Sequence, residues 1–175
     1  NGGDCLIAVD GVELNGKINP YSLLDGRTGH QTLLKVSAKS NGDDAREVTV
    51  TPINSERVLR YTKWVSDNRR RVAEMSGGRI GYLHLPNTAH DGVREFAKAY
   101  YPQVRLEGLI IDERYNGGGF IPDFMMTILN QKMLNQWKPR HGINWRTPGS
   151  AFICRMATVS NGHAGSGGDA LPFYF

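Results

Sequence analysis

The second half of the chain alternates between short apolar segments and amphipathic ones, and this alternation most constrains the fold. Strands are predicted over 79–85, 108–112 and 152–159, helices over 91–101 and 121–136, and a loop over 138–150. The segment 108–112 is almost entirely apolar, which is typical of a strand buried on both faces of a parallel sheet. Strands alternating with helices of this length are joined by right-handed crossovers. The sequence therefore predicts a mostly parallel α/β domain over residues 77–175.

The first 53 residues have a different pattern, made of short strands and turns. Strands are predicted over 4–9, 12–14, 31–36 and 46–51, and a short helix over 21–25. Asp10-Gly11 is a strong hairpin dipeptide. Asn19 can cap the short helix, with Pro20 at its first position. Residues 1–53 are therefore predicted to form a β-rich domain.

A charged helical connector is predicted over residues 54–76. One apolar face is expected from its side-chain spacing, formed by Val58, Leu59, Tyr61, Trp64, Val65 and Val72. The run Arg69-Arg70-Arg71 is interpreted as the solvated face of this helix rather than as a nucleic-acid patch, because no aromatic side chains are interleaved with it.

Composition narrows the class of protein. Hydrophobic residues make up 39% and charged residues 22% of the 175 residues, which is typical of a globular protein. No apolar run approaches the roughly 18 residues that a membrane span needs. Cys5 and Cys154 both lie in apolar stretches, so buried free thiols are favoured over a disulfide, and no metal-ligand spacing is present. The chain begins with Asn1, and further chain is expected upstream.

Two glycine-rich loops, residues 112–120 and 164–169, follow two of the apolar strands. Ligands of open α/β sheets bind at the carboxyl ends of the strands, where both loops are expected. Glycine lets backbone N–H groups converge on one point, and such donors beside the hydroxyl of Ser166 would suit acyl transfer. From the pattern alone, an ordinary loop serine is favoured over a catalytic one at Ser166. A phosphate site at the Gly117-Gly118-Gly119 loop also stays open, although neither the dinucleotide nor the Walker spacing is matched.

Several segments, taken in order, resemble tricorn-type serine proteases. Residues 3–12, GDCLIAVDGV, resemble the GD-x-hydrophobic-x-x-V-D/N-G signature of PDZ domains in bacterial and archaeal proteases. Residues 112–120, DERYNGGGF, resemble the family's D-x-R-x-N-G-G-G-F loop. Residues 166–175, SGGDALPFYF, resemble its S-x-G-D-x-F-P-x-x-F segment, with Leu171 in place of the first Phe. Carboxyl-terminal processing proteases share the wider family, but the Trp64-Val65 connector favours the tricorn branch.

The resemblance implies a fold and a set of site residues. The fold is α/β, with a partial PDZ domain followed by a truncated catalytic domain of the ClpP/crotonase-like type. Ser166 is the implied nucleophile, and the N–H groups of Gly118, Gly119 and Gly167 are the implied oxyanion hole. Gly167 stands where the archetype has Asp, so it supplies an N–H but no carboxylate. Asp112 and Arg114 are expected to hold the loop, and Asp169 is expected to be structural. No cofactor or metal is implied.

The general base is missing from this pattern. In the resembled family it is a His before the PDZ domain, supported by an acid beyond the point where this chain stops. His163 lies three residues before Ser166, but that spacing alone does not bring it within the roughly 3 Å that a base needs. His84 is expected to be packed or on the surface. The chain alone is therefore expected to be inactive, and the parent protein to be an active serine peptidase.

The PDZ-like part raises a second function. PDZ domains bind extended peptides at a sheet edge. Here the groove is expected to be incomplete, with the short helix as one wall, and a purely structural role stays open. The rival to proteolysis is a non-catalytic peptide-binding module. Expected partners are peptides or unfolded proteins and further copies of the parent, without nucleic acid or a membrane span. The cytoplasm is the expected compartment, with the periplasm or secretion as the alternative.

Overall fold

The computed structural model describes residues 2–175, and the chain divides into two compact units, Asn1–Arg60 and Tyr61–Phe175. The boundary falls within helix α1, Arg57–Ser76. The sequence-based division into 1–53, 54–76 and 77–175 stays a prediction. No helix among the described residues is long and apolar enough to span a membrane.

The first unit is built on an antiparallel four-stranded sheet with the order β2-β1-β3-β4. Its strands are β1 Cys5–Val9, β2 Val12–Glu13, β3 Thr32–Ser37 and β4 Arg46–Val50. Asp10 and Gly11 join β1 to β2 with φ of 46° and 80°. Positive φ at both positions is what a type I′ hairpin requires, so the Asp-Gly prediction is confirmed. Asn19 Oδ1 accepts a hydrogen bond from Tyr21 N at 3.1 Å and caps the 3-10 helix Pro20–Leu23.

The second unit contains a parallel three-stranded sheet with the order β5-β6-β9. The strands of this sheet are β5 Ile80–His84, β6 Gly108–Asp112 and β9 Arg155–Val159. A separate two-stranded sheet is formed by β7 Asn135–Trp137 and β8 Trp145–Thr147. The helices of the unit after α1 are α2 His90–Tyr100, α3 Pro122–Leu129 and α4 Gly167–Tyr174. The mixed α/β class predicted from the sequence is confirmed. The core includes Leu83, Phe96, Ile111, Met125 and Leu171, each no more than 1% exposed.

The predicted helix over 121–136 was wrong in its second half. Helix α3 ends at Leu129, and β7, which begins inside the predicted helix, pairs in a hairpin with β8, which lies in the predicted loop. The rings of Trp137 and Trp145 stack across this hairpin with centroids 5.1 Å apart. A cross-strand aromatic pair of this kind stabilises a hairpin. Its two members are far enough apart in sequence that their contact is visible only in the folded chain.

Three smaller expectations differ from the structure or agree with it only in part, and a fourth agrees with it. Helix α4 starts at Gly167, inside the predicted glycine loop, because buried Leu171 anchors that segment in the core. Val58 and Leu59 are exposed rather than on a packed face of α1. Cys154 is exposed and Cys5 only half-buried, so the predicted burial of both thiols was wrong, although both are free. Residues 69–71 are all exposed, which agrees with their interpretation as a solvated helix face.

Candidate active site

Ser166 occupies a strained position at the start of α4. Its φ is 56° and its ψ is −121°, and the residue is exposed. A non-glycine residue in such a region costs about 1–3 kcal/mol, and strain of this kind concentrates at functional sites. The carbonyl of Ser166 accepts hydrogen bonds from Asp169 N and Ala170 N, both at 3.0 Å. The first turn of α4 therefore holds the backbone of Ser166 in place and leaves the residue at the surface.

The loop after β6 packs directly against Ser166 and its neighbours. A β-carbon added to Gly118 would lie 2.7 Å from Gly165 O and 2.8 Å from Ser166 Cβ. A β-carbon added to Gly167 would lie 2.3 Å from Gly119 O. These separations are shorter than any real carbon contact, so only glycine lets the two loops approach this closely. The structure thus brings together Ser166, Gly118, Gly119 and Gly167, as the sequence predicted that both loops would meet at one edge of the sheet.

The backbone N–H groups of these glycines are not equivalent. Gly117 N donates to Pro86 O at 2.9 Å, and Gly118 N donates to Asn116 Oδ1 at 2.8 Å. Among the described residues, none accepts a hydrogen bond from the N–H of Gly119 or of Gly167. In this conformation Gly119 and Gly167 are therefore the better candidates for binding an oxyanion, while Gly118 N–H is already engaged. The role of all three in catalysis stays a prediction.

Asp112 and Arg114 brace the start of this loop. Asp112 is 1% exposed and accepts hydrogen bonds from Arg114 Nε at 2.9 Å and from Tyr82 OH at 2.6 Å. Burial raises the pKa of Asp112, but the hydrogen bonds from Arg114 and Tyr82 outweigh it and hold the pKa below its usual value. The guanidinium of Arg114 also lies 5.0 Å from the ring centre of Trp64. These contacts suit a structural rather than a reactive role.

The two histidines considered in the sequence have structural surroundings. His84 is buried, with Nδ1 2.9 Å from Tyr61 OH and Nε2 2.7 Å from Arg114 O. Burial lowers the pKa of His84 below its usual value, which favours the neutral form of the ring. His163 is exposed, and its ring stacks on Tyr115 with centroids 5.4 Å apart. Within residues 2–175, no group of three or more His, Cys, Asp or Glu side chains could hold a metal ion.

Glu113 is a residue near the site that sequence reasoning missed. Its side chain is fully buried, and Oε2 accepts a hydrogen bond from Asn116 Nδ2 at 2.6 Å. Burial raises the pKa of Glu113 to about 7, the hydrogen bond from Asn116 lowers it, and the charge of Asp112 raises it further. The available signal was a carboxylate placed directly after a buried strand, beside another carboxylate.

The raised pKa of Glu113 predicts a pH dependence of folding stability. The folded state binds this proton more tightly than the unfolded state does, so stability is greatest below pH 4.5 and falls as the pH rises to about 7. The full loss is about 3 kcal/mol, because each unit of difference in pKa between the folded and unfolded states is worth about 1.4 kcal/mol. Glu113→Gln removes the ionisation and keeps an acceptor for Asn116. We expect the variant to be more stable than the wild type above pH 7 and to lack this slope in urea unfolding at several pH values. An unchanged slope would contradict the prediction.

Comparisons with known proteins identify the family to which this chain is similar. Residues 1–55 match the family described as the tricorn protease PDZ domain. The chain is 34% identical over 173 residues to the tricorn protease of Thermoplasma volcanium, covering 99% of the chain and 17% of that protein. It is 37% identical over 175 residues to the tricorn protease homolog of Saccharolobus solfataricus, covering 100% and 16%.

A solved structure supports the same assignment. The crystal structure of the tricorn protease superposes with a TM-score of 0.87 at 32% identity, covering 99% of this chain and 17% of that one. The chain thus spans about a sixth of the length of the relatives it matches. Because similarity extends along nearly the whole chain in both sequence and fold, the chain belongs to the tricorn protease family and corresponds to a segment that includes its PDZ domain.

Proposed function

We propose that this chain carries the nucleophile and the oxyanion hole of a serine peptidase. The proposal rests on the strained, exposed Ser166 and on two backbone N–H groups beside it, those of Gly119 and Gly167. Neither N–H group donates a hydrogen bond to any described residue. An acyl-transfer site needs this combination, because negative charge develops on the substrate carbonyl oxygen while the hydroxyl attacks. The second unit would then be the first part of a catalytic domain of the ClpP/crotonase-like type, entered through a connector over 54–76.

The proposed reaction has two steps. Ser166 Oγ attacks the carbonyl carbon of the scissile peptide bond and loses its proton to a base. The N–H groups of Gly119 and Gly167, with Gly118 as a further candidate, stabilise the oxyanion. The C–N bond breaks as the leaving amine takes up the proton, which leaves an acyl group on Ser166. Water then attacks the ester and releases the carboxylic acid product.

The base is proposed to come from outside this chain. His84 is buried with both ring nitrogens engaged. His163 stacks on Tyr115. A serine without a base is a weak nucleophile, so residues 1–175 alone are expected to be inactive. The full-length protein that contains this chain would supply the histidine and its supporting acid.

The first unit is proposed to assist in handling peptide substrates. Its sheet leaves β2 and β4 without a further strand partner among the described residues. PDZ domains bind an extended peptide by adding it to such an edge. The substrates would be peptides or unfolded proteins, and the full-length protein is proposed to assemble into homo-oligomers. The cytoplasm is the proposed compartment.

Two rival functions are less well supported. In a non-catalytic peptide-binding module, the strain at Ser166 and the unengaged N–H groups beside it would have no use. A phosphate site at residues 117–119 would need N–H groups that converge on an anion. Those of Gly117 and Gly118 are instead used by Pro86 and Asn116.

We predict that a fluorophosphonate probe labels the full-length wild-type protein and that Ser166→Ala abolishes the labelling. The probe reacts only with a serine that a base and an oxyanion hole activate. Ser160→Ala, also in the loop region after β9, is the matched control and should retain labelling. Labelling would be read by mass spectrometry of the modified peptide. A folded wild-type protein that is not labelled would favour the peptide-binding module instead.

A further inference from the structure

Asn116 is the residue that connects the two glycine loops of the site. Its side-chain Oδ1 accepts from Gly118 N at 2.8 Å, and its backbone O accepts from Gly165 N at 3.2 Å. A β-carbon added to Gly168 would lie 2.8 Å from Asn116 Cβ, so α4 also packs against this residue. Asn116 is fully buried, and its position therefore determines where both loops lie.

The direction of the Asn116 amide matters because its two ends differ. Oδ1 can accept the N–H of Gly118, whereas Nδ2 can only donate. If the amide were turned by half a rotation, Nδ2 would face the N–H of Gly118, donor against donor. Gly118 N–H would lose its acceptor and could rotate away, which would move the adjoining peptide of Gly119. The orientation of this one amide thus decides the conformation of the loop.

Glu113 imposes that orientation. When ionised, its carboxylate offers only acceptors, and when it carries a proton on Oε1 it still presents Oε2 as an acceptor. The amide end facing Oε2 is therefore Nδ2, 2.6 Å away. The backbone of Glu113 is held in turn, because its N donates to Val159 O at 2.7 Å and its O accepts from Asn116 N at 3.1 Å. The side chain is fully buried, so water does not compete for the same hydrogen bond. Glu113 Oε1 has no partner among the described residues.

We propose that Glu113 is a positioning residue, which orients the Asn116 amide and so holds Gly118 and Gly119 in the conformation that the oxyanion hole requires. This inference rests on the proposed peptidase function. Glu113 touches no reacting atom and acts only through Asn116. The raised pKa described above accords with a carboxyl group kept in a dry site beside Asp112, whose own charge is compensated by Arg114.

The test compares Glu113→Met, which fills the same space without an acceptor, with Glu113→Gln, whose Oε1 can still accept from Asn116. Both are made in the full-length protein. Rates of fluorophosphonate inactivation are separated into binding and reaction steps, and hydrogen exchange of residues 113–119 is followed by mass spectrometry. For Glu113→Met we expect a reaction step ~10- to 100-fold slower with probe binding changed less than ~3-fold, because small misplacement of a site costs up to that factor. Exchange in the loop should be at least ~10-fold faster.

A reciprocal exchange keeps the proposal testable if Glu113→Met does not fold. Asn116→Asp still accepts from Gly118 N–H but cannot donate to Glu113, so it should be impaired in both measurements. Adding Glu113→Gln supplies a side-chain NH2 group at position 113, which can donate to the carboxylate at position 116. The double variant should therefore return both measurements to within ~3-fold of the wild type. A merely space-filling role at position 113 predicts no such rescue.

Each outcome decides something different. The proposal is overturned if Glu113→Met leaves exchange and reaction rate unchanged, or if Glu113→Gln is as impaired as Glu113→Met and fails to rescue Asn116→Asp. If the wild-type protein is not labelled at all, the peptidase function fails. The exchange measurements then decide by themselves whether Glu113 holds the loop.

Discussion

Replacing Gly167 by alanine is expected to reduce fluorophosphonate labelling of Ser166 by at least ~100-fold, the effect of losing one oxyanion-hole donor. The new β-carbon would lie 2.1 Å from Thr88 Oγ1 and 2.3 Å from Gly119 O. Thr88 is fully buried, and the second contact is with backbone, so neither can move aside cheaply. The two loops must separate, which moves the N–H groups of Gly119 and Gly167 apart. Overpacking of this kind also destabilises the fold by about 1–3 kcal/mol.

Gly165→Ala is the matched control for this prediction. Gly165 lies on the other side of Ser166, and nothing lies within 4 Å of the β-carbon that alanine would add. We expect labelling within ~3-fold of the wild type and a change in stability under about 0.5 kcal/mol. If the two variants behave alike, close contact between the loops is not what forms the site.

Replacing Arg114 by methionine is expected to have the largest effect on stability, lowering the free energy of unfolding by about 3 kcal/mol or more. The carboxylate of Asp112 is 1% exposed and would lose hydrogen bonds from Arg114 Nε at 2.9 Å and from its terminal nitrogen at 2.6 Å. Among residues 2–175, Tyr82 OH and the backbone N–H of Arg114 would still donate to it. An ionised group left in a dry site without its cation is costly, whereas methionine still packs against Trp64. Urea-induced unfolding measures the change.

The same substitution at Arg79 separates burial from the mere presence of an ion pair. Arg79 pairs with Glu107 at 3.2 Å, but both side chains are about two-thirds exposed, at 65% and 64%. Arg79→Met is therefore expected to cost less than about 1 kcal/mol. In addition, Asp112→Asn combined with Arg114→Met should be more stable than Arg114→Met alone, because no buried charge is left unpaired. Equal losses at Arg114 and Arg79 would contradict the account.

Local sequence patterns were sufficient to predict most of the strands and helices. The Asp10-Gly11 hairpin, the Asn19 cap and the parallel strands β5, β6 and β9 all follow from short-range rules of backbone conformation and hydrophobic period. Elements that depend on distant contacts were predicted less well. The helix predicted over 121–136 ends early, because the stacking of Trp137 on Trp145 stabilises a hairpin instead.

The sequence by itself determined the family, the α/β class and the meeting of the two glycine loops around Ser166. These rest on local motifs and on the rule that parallel strands share a carboxyl edge. Only the tertiary structure decided which glycine N–H groups remain unengaged and that Glu113 lies fully buried against Asn116. A sequence motif specifies residue types and their order, but hydrogen-bond partners and burial depend on groups that approach one another only when the core has packed.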